Sequence, residues 1–173
     1  MLNVLLIRGL PGSGKSWLAR CISMGKVATT SLEADNYFYD ESLGYQFDPT
    51  KLTEAHLWCF QRFLKFLTLL SHPLRVGEKF DNDMIIVSNT FSCRWEMEKY
   101  LEAAKKRDIQ VKVIDLFDNG MTDEELVKRN IHDVPVETIQ AMRSRWEHDW
   151  KNGNPLPPWE REENQKQHFL SEL

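Results

Sequence analysis

Gly9-Leu10-Pro11-Gly12-Ser13-Gly14-Lys15-Ser16 is a complete G-x-x-x-x-G-K-S phosphate-binding loop, and it follows the apolar run Leu2 to Ile7, where a strand would sit. A strand, the full motif and a following helix together separate this loop from a mere glycine-rich turn. The glycines let the backbone curl so that successive N–H groups point at the phosphates of a nucleoside triphosphate. Lys15 brings a mobile positive charge to the β- and γ-phosphates, and the Ser16 hydroxyl is a ligand for Mg²⁺. A helix starting at Lys15 aims its positive dipole end at the same anion. The expected ATP-contacting set is Gly9, Leu10, Pro11, Gly12, Ser13, Gly14, Lys15, Ser16 and Leu18.

Outward from the loop, helical and strand patterns alternate. Ser16 to Met24 reads as the first helix and Val27 to Leu32 as a β-branched second strand, with Glu33-Ala34-Asp35-Asn36 at its carboxyl end. An aromatic loop covers Tyr37 to Asp48. A long, largely buried helix is expected from Thr50 to Leu70, with Leu52, Cys59, Phe63, Phe66 and Leu70 at helical spacing. Ser71 to Asp83 is polar and turn-forming. Met84 to Val87 is a third strand, Arg94 to Arg107 an amphipathic helix, and Ile109 to Phe117 a fourth strand. Thr122-Asp123-Glu124-Glu125 has the form of a capping box, and Pro135 opens a helix running to Trp150. This order predicts an α/β, three-layer phosphate-loop NTPase fold with a mostly parallel sheet and a helical lid. The expected domain spans residues 1–150, with the lid near 118–134, and a polar C-terminal tail covers 151–173.

Composition sets the outer limits. A chain of 173 residues with 42% hydrophobic content fits one globular domain with a substantial core. No apolar stretch is long enough to span a membrane, and the N-terminus carries no signal-peptide pattern, so a cytoplasmic location is expected. A net charge of −4 argues against broad non-specific wrapping of nucleic acid but leaves room for a local pocket that takes one strand end. Cys21, Cys59 and Cys93 have no metal-ligand spacing and are expected as buried, reduced thiols on helices.

In parallel α/β sheets ligands lie beyond the carboxyl ends of the strands. That rule brings the loop, Asp35 and Ser88-Asn89-Thr90 around one crevice. Asp35 there is either a general base or Mg²⁺ contact, or an Asp that caps a turn. Phosphate-loop enzymes commonly present an acid to the metal at the end of the third strand; Ser88-Asn89-Thr90 lacks one. Ser88 or Asn89 can orient a metal-bound water, whereas Thr90 or Ser92 can cap the next helix. Arg129 is either a lid arginine that steadies a transferring phosphoryl group or, with Lys128, part of a solvated face. His56, Trp58, Trp95 and Trp146 read as core residues, while Tyr37, Phe38 and Tyr39 are stacking candidates.

Several blocks in order resemble one family: Glu33-Ala34-Asp35-Asn36-Tyr37-Phe38, Phe47-Asp48-Pro49-Thr50-Lys51-Leu52-Thr53-Glu54-Ala55-His56, Trp95-Glu96-Met97-Glu98-Lys99-Tyr100 and Arg129-Asn130-Ile131-His132-Asp133-Val134-Pro135. Together with the loop they look like the phosphate-loop kinase branch that contains the polynucleotide 5′-hydroxyl kinases and chains described as AAA-like. The resemblance spans Leu2 to Trp146. It implies transfer of the ATP γ-phosphate to a hydroxyl, typically a nucleic-acid 5′-end, with Lys15, Asp35 and Arg129 catalytic and Ser16 on Mg²⁺. The departure is at Ser88-Asn89-Thr90-Phe91, where family members carry an acid and a final Asn. A kinase of a small molecule, nucleotide or modified base shares the same loop and Asp. A module that binds ATP and transfers nothing is the alternative outside enzymes. The oligomeric state is not encoded in any of these motifs.

Overall fold

In the computed structural model, which describes residues 2–24, 29–71 and 83–161, alternate residues of the first strand serve two different cores. Along β1 (Asn3–Gly9), Val4 and Leu6 join one apolar cluster while Leu5 and Ile7 join another. A strand buried on both faces has to be apolar at every position, which explains the unbroken run. α1 (Lys15–Ser23) covers the second cluster through Ala19. α2 (Leu52–Ser71) and α3 (Arg94–Lys105) cover the first, with Phe63 and Tyr100 in edge-on contact at 5.0 Å.

β2 (Thr29–Leu32), β5 (Met84–Asn89) and β6 (Val111–Phe117) complete the sheet in the order β2–β5–β1–β6, every pairing parallel. This is the three-layer α/β architecture expected. Between β2 and α2 lie a 3₁₀ turn (Ala34–Phe38) and a short antiparallel hairpin, β3 (Tyr39–Asp40) and β4 (Gly44–Tyr45), where an aromatic loop turning at Gly44 was expected.

α4 (Asp123–Arg129) and α5 (Val136–Ser144) form the helical layer beside the phosphate loop. Both bonds of the Thr122–Glu125 capping box are present. Leu126, Ile139 and Trp146 bury against Leu10 of the loop. Arg143 ties the pair down by ion pairing with Asp118 and Asp123. Residues after 150 touch α3: Trp159 meets Trp95 edge-on at 5.2 Å, and Arg94 donates to the Lys151 carbonyl.

Several local expectations fail for physical reasons. α2 buries only one stripe, Ala55, Cys59, Phe63 and Leu67, because among the described residues nothing packs on its outer face; Leu52 and His56 are exposed. Cys21 is exposed, and Cys93 is the N-cap of α3 rather than a helical residue. Neither Thr90 nor Ser92 caps α3. The Arg94 N–H instead donates to the Glu147 carboxylate at 2.7 Å, a partner too distant in sequence to be inferred locally. The last helix stops at Ser144, not Trp150. Residues 25–28, 72–82 and 162–173, on which parts of the second-strand, turn and tail expectations fall, lie outside the described residues. No helix among the described residues is long and apolar enough to cross a membrane.

Candidate active site

Because β5 lies between β2 and β1, the carboxyl ends of three strands are neighbours, and hydrogen bonds join them. The Gly9 N–H donates to the Thr90 carbonyl at 3.1 Å, and the Ala34 N–H donates to Asn89 Oδ1 at 2.9 Å. Ser16 Oγ donates to Glu33 Oε2 at 2.9 Å. The loop, the Glu33–Asp35 segment and Asn89 therefore meet at one edge, as the strand order requires.

The loop's shape depends on positions where a side chain cannot go. Gly12 has φ 82° and Gly14 has φ 97°, both left-handed. A Cβ on Gly12 would sit 2.2 Å from the Leu126 carbonyl oxygen, so α4 rests on the loop's backbone. A Cβ on Gly9 would meet Ser13 Oγ at 2.4 Å. Gly14 is the N-cap of α1 and offers no side-chain cap, which leaves first-turn amides of α1 without an intrahelical partner. Such amides suit an anion.

Lys15 Nζ donates to the Leu10 carbonyl at 3.0 Å, folded back within the loop. Burial pushes its ammonium down to about 8, while the Asp35 and Glu33 carboxylates pull it back up. Leu10 has no exposed surface, so it offers its carbonyl and not its side chain. The Leu18 N–H is spent on the Gly14 carbonyl, and the Leu18 side chain packs against the cluster of Leu5, Ile7, Ala19 and Ile86. Pro11 is half-buried, and Ser13 Oγ is buried with no hydrogen-bond partner among the described residues.

Two carboxylates lie beside the loop. Asp35, in the turn after β2, keeps 45% of its side chain exposed and stands 3.8 Å from His132 Nε2. His132 in turn packs on Tyr45, the rings tilted by 36° with centroids 4.3 Å apart. Glu33 is more enclosed: burial pushes its carboxyl above the usual range, and the Ser16 hydrogen bond lowers it again. A hydroxyl and a carboxylate are the hard oxygen donors that suit Mg²⁺, which takes few protein ligands and completes its shell with water and phosphate. The residues present fit that ion.

Ser88 and Asn89 are both buried. Asn89 spends its carbonyl on Ala34 and its amide on Cys59 Sγ at 3.8 Å, so it belongs to the scaffold rather than to a water-orienting site. Arg129 is exposed in the last turn of α4, one turn beyond the Leu126 carbonyl that rests on Gly12, and it makes no ion pair among the described residues. Lys128 is also exposed. Tyr37 is half-buried and Phe38 buried, whereas Tyr39 and Phe47 are 57% and 48% exposed on the hairpin side of Asp35.

Three residues were not singled out from sequence: Glu33, His132 and Arg8. Arg8 is fully buried; it donates to the Glu147 and Ser92 carbonyls, each at 3.0 Å. It also pairs with Asp115 at 3.3 Å and lies 4.1 Å over the Trp146 ring. An Arg between an apolar strand and a phosphate loop was the available signal, since a charge there has to find partners or face the site.

Comparison with known proteins places this geometry. Residues 4–148 match a family described as an AAA domain. The human NEDD4-binding protein 2 is 35% identical over 153 residues, which cover 84% of this chain and 8% of that protein. The chain thus spans a small fraction of that relative's length. Among solved structures, a chain of the Pnkp1/Rnl/Hen1 RNA repair complex superposes with a TM-score of 0.58 at 18% identity, covering 83% of this chain and 43% of that one. A gluconokinase from Sinorhizobium meliloti gives 0.52 at 16% identity, covering 87% and 78%. At these identities the superpositions show the shared phosphate-loop kinase fold.

Proposed function

The chain belongs to this AAA-domain family of phosphate-loop kinase-like proteins, and from that premise we propose that it transfers the γ-phosphate of ATP to the 5′-hydroxyl of a DNA or RNA end. The observation that carries the proposal is the meeting of Lys15, Ser16 and Asp35 where the carboxyl ends of neighbouring strands converge. Lys15 leaves the Leu10 carbonyl for the β- and γ-phosphates, exchanging a neutral acceptor for an anion. The acceptor oxygen attacks the γ-phosphorus as the bond to the β–γ bridging oxygen breaks, and its electron pair leaves with ADP. Asp35 takes the acceptor's proton. Mg²⁺, when bound, offsets charge on the phosphate oxygens, and Ser16 is its proposed ligand. Arg129, on the 118–134 lid of a 1–150 kinase domain, meets the charge spread over the transferring group.

The nucleic-acid acceptor is favoured by the partly exposed rings of Tyr39, Tyr45 and Phe47, of which Tyr45 packs on the His132 next to Asp35, since every base offers a face to stack. The RNA repair neighbour is consistent with that choice. Incubation with γ-labelled ATP and Mg²⁺ should label 5′-hydroxyl oligonucleotides. Label appearing only on nucleosides or small polyols moves the proposal to a small-molecule kinase, and label on nothing leaves a passive ATP binder.

A further inference from the structure

We propose that Glu33 is the carboxylate of this chain's divalent-cation site, working from the end of β2 in place of the acid that is missing at the end of β5. The inference rests on the ATP-binding part of the function proposed above and deepens it. The end of β5 offers a cation no carboxylate: Ser88 brings only a buried hydroxyl, and both halves of the Asn89 amide are engaged, with Ala34 and Cys59. β2 lies one strand further from the loop, yet Glu33 spans that gap and accepts the Ser16 hydroxyl at 2.9 Å.

The direction of that hydrogen bond matters. A serine hydroxyl has one proton and two lone pairs. With its proton given to Glu33, Ser16 Oγ presents only lone pairs to whatever lies on its other side, which is what a cation ligand requires. Lys15 does not neutralise Glu33 by contact, because its ammonium is hydrogen-bonded to Leu10. Glu33 stands within one hydrogen bond of the proposed ligand. The two acids then divide the work. Asp35, half-exposed and beside His132, is open to an acceptor, while Glu33, more enclosed and bound to the loop, serves the metal.

The test separates metal from nucleotide. With the full chain and a non-hydrolysable ATP analogue, free Mn²⁺ is titrated by electron paramagnetic resonance for wild type, Glu33→Gln and Glu33→Asp. Analogue binding is measured in parallel by calorimetry in EDTA. Glu33→Gln should weaken Mn²⁺ in the ternary complex about 10-fold or more, with metal-free analogue affinity unchanged or improved. Glu33→Asp keeps the charge and should fall between the two; it carries the test alone if the Gln chain does not fold. A Gln variant within twofold of wild type, or an Asp variant no better than Gln, overturns the inference. Wild-type label transfer alongside either result leaves the kinase proposal standing without it. Absence of analogue binding by wild type with and without metal sinks both.

Discussion

The phosphate loop is held by backbone, and the hairpin beside Asp35 is held by rings. Around the loop, Gly12 leaves room only for the Leu126 carbonyl and Gly9 only for Ser13, so the shape follows from the absence of side chains. The hairpin pairs just Tyr39 with Tyr45 and Asp40 with Gly44, and its tip is closed by Asp40 accepting from the Ser42 and Leu43 N–H groups. Its rings meet edge-on, tilted and stacked, Phe38 to Phe47 at 5.1 Å, Tyr39 to Tyr45 at 5.3 Å and Tyr45 to Phe47 at 6.5 Å, and the outer ones remain half in solvent. A backbone cradle recognises what all nucleoside triphosphates share. A ring surface can be revised one side chain at a time, and so suits the partner that differs between relatives.

If that contrast holds, effects should decline from the loop outward. Lys15→Ala removes the principal cation at the triphosphate and should lower turnover roughly 10³-fold, with weaker ATP binding as well; steady-state kinetics and calorimetry read both. Unchanged ATP affinity with unchanged turnover would remove the loop from the chemistry. Asp35→Asn, at the junction of the two regions, should cut turnover roughly 10²-fold while ATP affinity stays near wild type. A variant that keeps the wild-type rate across pH returns Asp35 to a turn residue.

Arg129→Lys keeps charge but loses the planar fork, so turnover should fall on the order of 10-fold with little change in ATP affinity. Lys128→Ala, about 100° around the helix, should do much less. Equal small effects would make the pair a solvated face. The smallest change is expected at the hairpin. Tyr39→Ala and Phe47→Ala should each raise the KM for an oligonucleotide about fivefold, a stacking loss of about 1 kcal/mol, and leave the KM for ATP alone. Equal shifts in both constants would erase the distinction between cradle and rings.

What could be read from sequence was whatever depends on near neighbours. The strand, loop and start of α1 follow from a contiguous motif, and the Thr122–Glu125 box from residues one turn apart. The alternating order of patterns was enough for the parallel sheet. Glu33 was visible in the same tetrad as Asp35, but its partnership with Ser16 depends on which strands lie side by side, which β5 decides by inserting between β2 and β1. His132 sat in a quoted block without an assigned partner, because its proximity to Asp35 requires the lid to fold over the turn after β2. Ser92 looked like a helix cap; it instead donates to Glu96 and accepts from Arg145.

Arg8 determines how short a working version of this protein can be. Every chemical motif lies before Pro135, yet the guanidinium one residue ahead of the loop depends on Trp146 and on the carbonyl of Glu147, 139 positions away. A chain trimmed to its motifs would leave that buried cation Asp115 and the Ser92 carbonyl but take away the Glu147 carbonyl and the Trp146 ring; a hydrogen bond to a charged group contributes about 1.5–3 kcal/mol, a sizeable part of the roughly 5–15 kcal/mol that holds a whole domain together. A unit cut from this sequence therefore has to reach past residue 147 to keep every partner of Arg8.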